Sequence, residues 1–504
     1  MTVSESSALA DAIARSFAGS APGEPAVSPL RALGRRQLSG VEVLAQSVAT
    51  TAPAATMVLL PTTLLAYGSP FSGLVIIFAA TIFVTAIAWC TSQFTRRMVA
   101  SGGLYTFVAQ GLGARAALTA GVAMAVKYLG SGALTMYHGG QAVIAVAAQF
   151  GVEIRGPATG MVYLVIAGVV LTTLLRGVRF AALAILVVEV CSLVFIVALM
   201  VLPGSSAEPA LPLSTGSGSA LLPVVLAVLF GLAGFESATF VGPEARRPMV
   251  TVTRTVLATP MLCGALFVFA GWAAWSGRAD TLVGAYLHGT GTGVSPVVVA
   301  LLHLGMCCSW LASSMASSNA ASRLLYTMGI EGVLPAVLGR THRALRTPWV
   351  ATVTALAVVA AGVPAFAVVH GDARVGLRIA LLVGYVLVAV ATLGFLVRIG
   401  ELTAPTAWTA RAAALVGVVL VGYIVGGHVV DGRVGALATV AGVVVGAALW
   451  HRLLARSRHA ALVAVGVFDS PESADVLPGA GAFAPNARGD MALVATDHPD
   501  AVRR

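Results

Sequence analysis

The chain has 504 residues, 58% of them hydrophobic and only 10% charged, with a formal net charge of +10 and a mean hydropathy of +0.92. A soluble domain carries roughly 25% charged residues, so the composition excludes a soluble globular protein and marks an integral membrane one. The positive balance requires no nucleic acid, because arginines such as Arg96, Arg97, Arg246, Arg247, Arg343 and Arg346 flank apolar runs, where they face an anionic leaflet.

Residues 1–39 lack the apolar core of a signal peptide and are expected to form a cytoplasmic tail. Twelve apolar runs follow, each of roughly the 20 residues that a helix needs to cross a bilayer, or longer. They fall near 43–66, 71–95, 117–149, 158–176, 179–203, 219–245, 251–275, 295–327, 349–370, 376–398, 409–428 and 434–455, numbered below as spans 1 to 12. Most of the 30 Lys and Arg residues lie in segments that are cytoplasmic if the amino terminus is inside. The expectation is a multi-pass protein of the cell membrane with both termini in the cytoplasm. Residues 459–504 are rich in Ala, Gly, Pro and Asp and read as a disordered tail, in which Arg488-Gly489-Asp490 is a chance triplet.

No enzyme constellation is present. The five cysteines, Cys90, Cys191, Cys263, Cys307 and Cys308, fall in apolar spans without metal-ligand spacing, and neither a metal nor a cofactor is implied. Of nine histidines, only His138 and His303 lie well inside spans, where a buried hydrogen-bonded role suits each. The "GTGTGV" stretch at Gly289–Val294 lacks the strand and helix that a dinucleotide fingerprint needs.

Span 6 carries two glycines and a carboxylate: "FGLAGFESATFVGPEARRP", from Phe230 to Pro248. Each glycine weakens a helix by about 1 kcal/mol, and an unpaired backbone group in hydrocarbon costs several kcal/mol. A helix break there is tolerated only where it lines a cavity. The positive amino end of a half-helix then faces an anionic group, and the carbonyls of the preceding half face a cation. Span 1 holds a matching irregularity in "AQSVATTAPAATMVLLP", with Thr50, Thr51 and Pro53 at its middle. Paired breaks in corresponding spans indicate a shared binding site.

These segments resemble the amino acid-polyamine-organocation permeases. "GFESATFVGPEARRP" looks like the family's sixth-span signature, "SGGLYTFVAQGLG" (Ser101 to Gly113) its loop between spans 2 and 3, and "ASRLLYTMGIEGVLP" (Ala321 to Pro335) the end of its eighth span. The resemblance implies an all-α fold with a LeuT-like inverted 5+5 repeat core over 40–400, in repeats of about 43–203 and 219–398. Helices 11 and 12 then occupy 401–458. It also implies a secondary transporter of amino acids or related amines. By the same resemblance the substrate is held by Thr50, Thr51, Ala52 and Pro53, and by Phe230, Gly231, Leu232, Ala233, Gly234 and Phe235, with Glu236 linked to proton-dependent opening. Two positions depart from the family pattern. Ala49–Pro53 stands where many members have a Gly-Ser-Gly-like turn, and Ile330 stands where an arginine commonly precedes the acidic-Gly pair.

Lys127, the chain's only lysine, lies about 15 Å into span 3 by helical rise, and Glu189 lies in span 5. A buried ammonium exchanges a proton where a guanidinium does not, so Lys127, Glu189 linked with it, and Glu236 are the coupling and gating candidates, with the proton as coupling ion. A snorkelling lysine and a hydrogen-bonded structural glutamate are the alternative. Sodium is the competitor, through Ser313, Ser314, Ser317 and Ser318 of span 8. Amine or polyamine transport, exchange, and a non-transporting sensor on the same fold are the alternative readings.

Overall fold

The computed structural model describes residues 30, 32–34, 37–67, 70–201, 221–368, 372–469, 482–485 and 491–494. Most of both tails, including Arg488-Gly489-Asp490, lies outside them. The fold is an all-α membrane bundle, with one small antiparallel hairpin, Ala482–Pro485 with Met491–Val494, in the carboxy-terminal tail. Eleven helices are long and apolar enough to cross a membrane, and span 5, Val178–Val201, follows the same pattern with its apolar stretch described over Glu189–Val201. All twelve expected spans are therefore present, with ends within a few residues of those read from the sequence.

Spans 1 and 6 are interrupted, as the glycines and Pro53 indicated. Span 1 runs as Gly40–Thr50, then resumes as Pro53–Ala66. Between the halves Ala52 takes a left-handed conformation, φ 45° and ψ 58°, which costs a non-glycine residue about 1–3 kcal/mol. Pro53 sits at the first position of the second half, where its missing N–H is no loss. Span 6 runs as Leu221–Leu232 and turns at Gly234, whose φ of 142° favours glycine. It continues as a ten-residue 3₁₀ helix, Phe235–Glu244. Such runs seldom exceed 3–4 residues.

Packing follows a five-span offset. Span 3 (Ala114–Gln149) lies along span 8 (Pro296–Ile330), span 2 (Pro70–Thr95) along span 7 (Pro248–Trp275), and span 4 (Pro157–Leu175) against span 9 (Trp349–Val368). The two halves of span 1 lie against the two halves of span 6. The interrupted spans form the interior: 89% of the apolar window of span 1 and 78% of that of span 6 are buried. Spans 11 (Ala404–Val430) and 12 (Gly435–Ser457) are only 22% and 17% buried and stand at the periphery.

At the face where span 1 begins, the ends of several elements are bonded together. Ser39 and Glu42 form a capping box at the start of span 1. Gln37 and Leu38 donate backbone N–H bonds to Glu244 O at 2.8 and 2.9 Å. Glu244 receives a buried ion pair from Arg323 of span 8, with Nη2 2.8 Å from Oε1 and from Oε2. The first part of the tail expected to be disordered is docked here: after the short helix His459–Val463 the chain reaches Asp469, which forms an antiparallel bridge with Val99. Gly466 and Val467 each donate a backbone N–H to Glu331 Oε1 at 2.9 Å, and Tyr105 OH donates to Glu331 Oε2. Tyr105 belongs to the short helix Leu104–Leu112 between spans 2 and 3. This strap holds the end of span 8 to the loop after span 2.

Burial pushes the Glu331 carboxyl from an ordinary 4.5 up to about 7, against the lowering effect of its three donors. The docked carboxyl keeps its proton where a solvated one has lost it, so docking is strongest below about 4.5 and weakens as pH rises to about 7. Hydrogen exchange at the Gly466 and Val467 amides, corrected for intrinsic rate, should lose protection across that window, and Glu331→Gln should remove the dependence. Protection that increases with pH would contradict the assignment.

Candidate functional site

The two helix breaks meet inside the bundle, and their backbone groups are satisfied partly by short-range backbone bonds, such as Thr51 N–H to Val48 O and Ser237 N–H to Gly234 O, and partly by side chains. At span 1, Gln46 O accepts from the Thr50 hydroxyl at 2.8 Å and the Ser237 hydroxyl at 3.2 Å, while Thr50 O accepts from Ser313 at 3.0 Å. Thr51 O accepts from Thr56 at 3.1 Å. At span 6, Phe235 O accepts from Ser47 at 2.9 Å, and Gly234 N–H donates to Glu236 Oε2 at 3.2 Å. Gln46 also joins span 8, donating to Ala316 O at 2.8 Å and accepting from Asn319 at 3.0 Å. In hydrocarbon each such pairing avoids a penalty of several kcal/mol.

The expected site residues are thereby brought together. Thr50–Pro53 and Gly231–Phe235 are all buried, while Phe230 is half-buried at the rim. The glycines serve helix approach. A Cβ on Gly231 would stand 2.5 Å from Thr56 Cγ2, and one on Gly234 would stand 2.9 Å from Thr50 Cβ. The room at these positions is taken by span 1 itself, so a bulky residue there would disturb packing before it met any solute.

Glu236, fully buried, is the most connected group. Its Oε1 lies 3.0 Å from Lys127 Nζ and accepts from Tyr128 OH at 3.0 Å, and its Oε2 accepts from Tyr385 OH at 2.9 Å as well as from Gly234 N–H. Lys127 Nζ also lies 3.7 Å from the centre of the Tyr128 ring. Spans 3, 6 and 10 (Asp372–Arg398) therefore converge on one carboxylate. The expected link between Lys127 and Glu189 is not formed, because the ammonium is committed to Glu236. Tyr128 and Tyr385 were not found by sequence reasoning. Adjacency to the only lysine was a signal for Tyr128; Tyr385 had none.

Glu189 sits instead at the amino end of the second half of span 1. Its Oε1 accepts from Ala54 N–H at 3.0 Å and from Ser309 Oγ at 2.9 Å, and Ser309 Oγ in turn accepts from Ala55 N–H at 3.2 Å. Its Oε2 is buried and has no hydrogen-bond partner among the described residues. Ser309 was another residue that the sequence did not single out. Of the serines weighed for sodium, Ser313 reaches Thr50 O and Ser314 reaches Gly132 O, while the Ser317 and Ser318 hydroxyls are buried without partners among the described residues.

Arg378 is a further group missed in the sequence. In span 10, it donates from Nε to Leu226 O at 2.8 Å and stacks 4.9 Å over the Phe230 ring. Its Nη1 donates to Arg374 O, and among the described residues it forms no ion pair with a carboxylate. No group of three His, Cys, Asp or Glu side chains placed to hold a metal occurs among the described residues.

No protein-family model matches the chain, and no curated protein matches it. Among solved structures, the chain is similar to a Na+-coupled sialic acid symporter in a substrate-bound outward-open state, with a TM-score of 0.47 and 12% identity over 82% of this chain and 95% of that one.

The close approach at Gly231 predicts that Gly231→Ala destabilises the folded protein by about 1–3 kcal/mol, the usual cost of overpacking. Thr56→Ser keeps the hydroxyl that bonds Thr51 O and removes the clashing methyl, so the double variant should recover most of the loss. Thermal unfolding in detergent reads both effects; a Gly231→Ala protein as stable as the parent would contradict this packing.

Proposed function

We propose that the chain is a proton-coupled secondary transporter of amino acids or related amines, of the amino acid-polyamine-organocation type, working in the cell membrane with both termini in the cytoplasm. The solute site lies at the facing breaks of spans 1 and 6. The observation that carries the reading is the Lys127–Glu236 ion pair, fully inside the bundle, at the point where span 6 loses its α-helical winding. Removing one partner of a buried ion pair typically costs 3–5 kcal/mol, so a proton that neutralises Glu236 weakens the tie between spans 3 and 6 and changes which arrangement of the breaks is favoured. Tyr128 and Tyr385 keep the carboxylate oriented in either state. Glu236 thus serves both purposes weighed for it: it satisfies the amino end of the second half of span 6 and provides a protonatable group there.

Sodium coupling is the second reading. What favours it is Ser313 of span 8 at the span 1 break, where it meets Thr50 O, with the Ser317 and Ser318 hydroxyls unpartnered among the described residues.

Purified protein in liposomes should accumulate solute under an inward proton gradient without sodium, and Glu236→Gln or Lys127→Met should abolish the dependence on that gradient. Uptake that follows a sodium gradient and ignores both substitutions would overturn the proton reading in favour of sodium.

A further inference from the structure

The amino end of a half-helix inside a membrane ordinarily draws an anion, because its N–H groups are unpaired and its dipole is positive there. At the second half of span 1 that place is already filled. Ala54 N–H and Ser309 Oγ converge on Glu189 Oε1, and Ala55 N–H is taken by Ser309 Oγ. The chain thus supplies its own carboxylate where a solute's carboxylate would dock.

The second oxygen of that carboxylate carries the consequence. Glu189 is 3% exposed, and its Oε2 accepts no hydrogen bond from the described residues. A buried carboxylate oxygen left unpaired is costly in a membrane interior, and Lys127 lies beside Glu236, 3.0 Å from its Oε1. A divalent metal would need about six oxygen ligands, and no cluster of metal-ligating side chains stands among the described residues. An organic ammonium carries several N–H donors on one positive centre and fits a single unsatisfied carboxylate oxygen.

Resting on the transporter reading above, we infer that Glu189 Oε2 is the seat for a protonated amine of the transported solute, which enters with its ammonium, not a carboxylate, toward the second half of span 1. Ser309 is a positioning residue: its hydroxyl donates to Oε1 and fixes the carboxylate rotamer, leaving Oε2 to the solute.

The test uses the purified full chain and pairs of compounds that share a skeleton: isobutylamine with isovalerate, and tyramine with 3-(4-hydroxyphenyl)propionate. Ligands that bind only the folded state raise the melting temperature. An amine should raise it and its acid counterpart should not. Glu189→Gln should weaken amine binding by at least about tenfold, Glu189→Asp by less, and Ser309→Ala by an intermediate factor. The amine-against-acid contrast in the parent protein stands even if a Glu189 variant does not fold. The inference is overturned if the acids bind as well as the amines, if no amine acts, if sodium alone reproduces the effect through Glu189, or if folded Glu189→Gln binds amines within about twofold of the parent. Liposome flux separates the two levels: transport of acids at the expense of amines defeats only this inference, whereas absence of flux for every solute defeats the transporter reading.

Discussion

Two helices that stop being helices inside a membrane must find partners for the backbone groups they release, and the interior of this protein is arranged around that requirement. The first-span carbonyls of Gln46, Thr50 and Thr51 and the sixth-span carbonyl of Phe235 are each reached by a hydroxyl. The amides of Ala54 and Gly234 are each reached by a carboxylate. Outside spans 1 and 6 these side chains come from span 5 (Glu189) and span 8 (Ser313), while spans 3 and 10 reach Glu236 through Lys127, Tyr128 and Tyr385.

The two carboxylates divide the work unequally. Glu236 is saturated: a cation, two phenols and an amide surround it, so a change in its charge is felt in three spans at once. Glu189 is half-satisfied, with one oxygen bonded to spans 1 and 8 and the other without a partner among the described residues. A saturated charge couples elements of the fold to one another, whereas a bare oxygen is available to something that arrives.

The spans, both interruptions and the interior position of spans 1 and 6 were legible in the sequence, because hydrophobic length and the placement of Gly231, Gly234 and Pro53 are local signals. The coupling candidates were legible as a set, since any charge in an apolar run stands out, but their pairing was not. Whether Lys127 meets Glu189 or Glu236 depends on how three helices are rotated about their axes, which no stretch of sequence encodes alone. Tyr385 and Ser309 were invisible for a related reason: a single hydroxyl in an apolar helix is usually a local backbone contact, and only the packing shows where it points. The docked strap was missed because residues 459–469 have the composition of a tail, and their order comes from a partner, Glu331, more than a hundred positions away.

The winding of span 6 has a mechanical meaning. The ten residues Phe235–Glu244, at about 2.0 Å per residue, reach about 20 Å, whereas the same residues at the α-helical rise of about 1.5 Å would reach about 15 Å. Recoiling the segment would shorten it by about 5 Å, close to the pitch of one α-helical turn. Its far end, Glu244, is bonded to Gln37, Leu38 and Arg323, so the contraction would be delivered to the start of span 1 and to span 8 together. The winding of this one segment therefore holds a length difference of nearly one helical turn between the Gly234 turn and the bonds that Glu244 makes to the start of span 1 and to span 8.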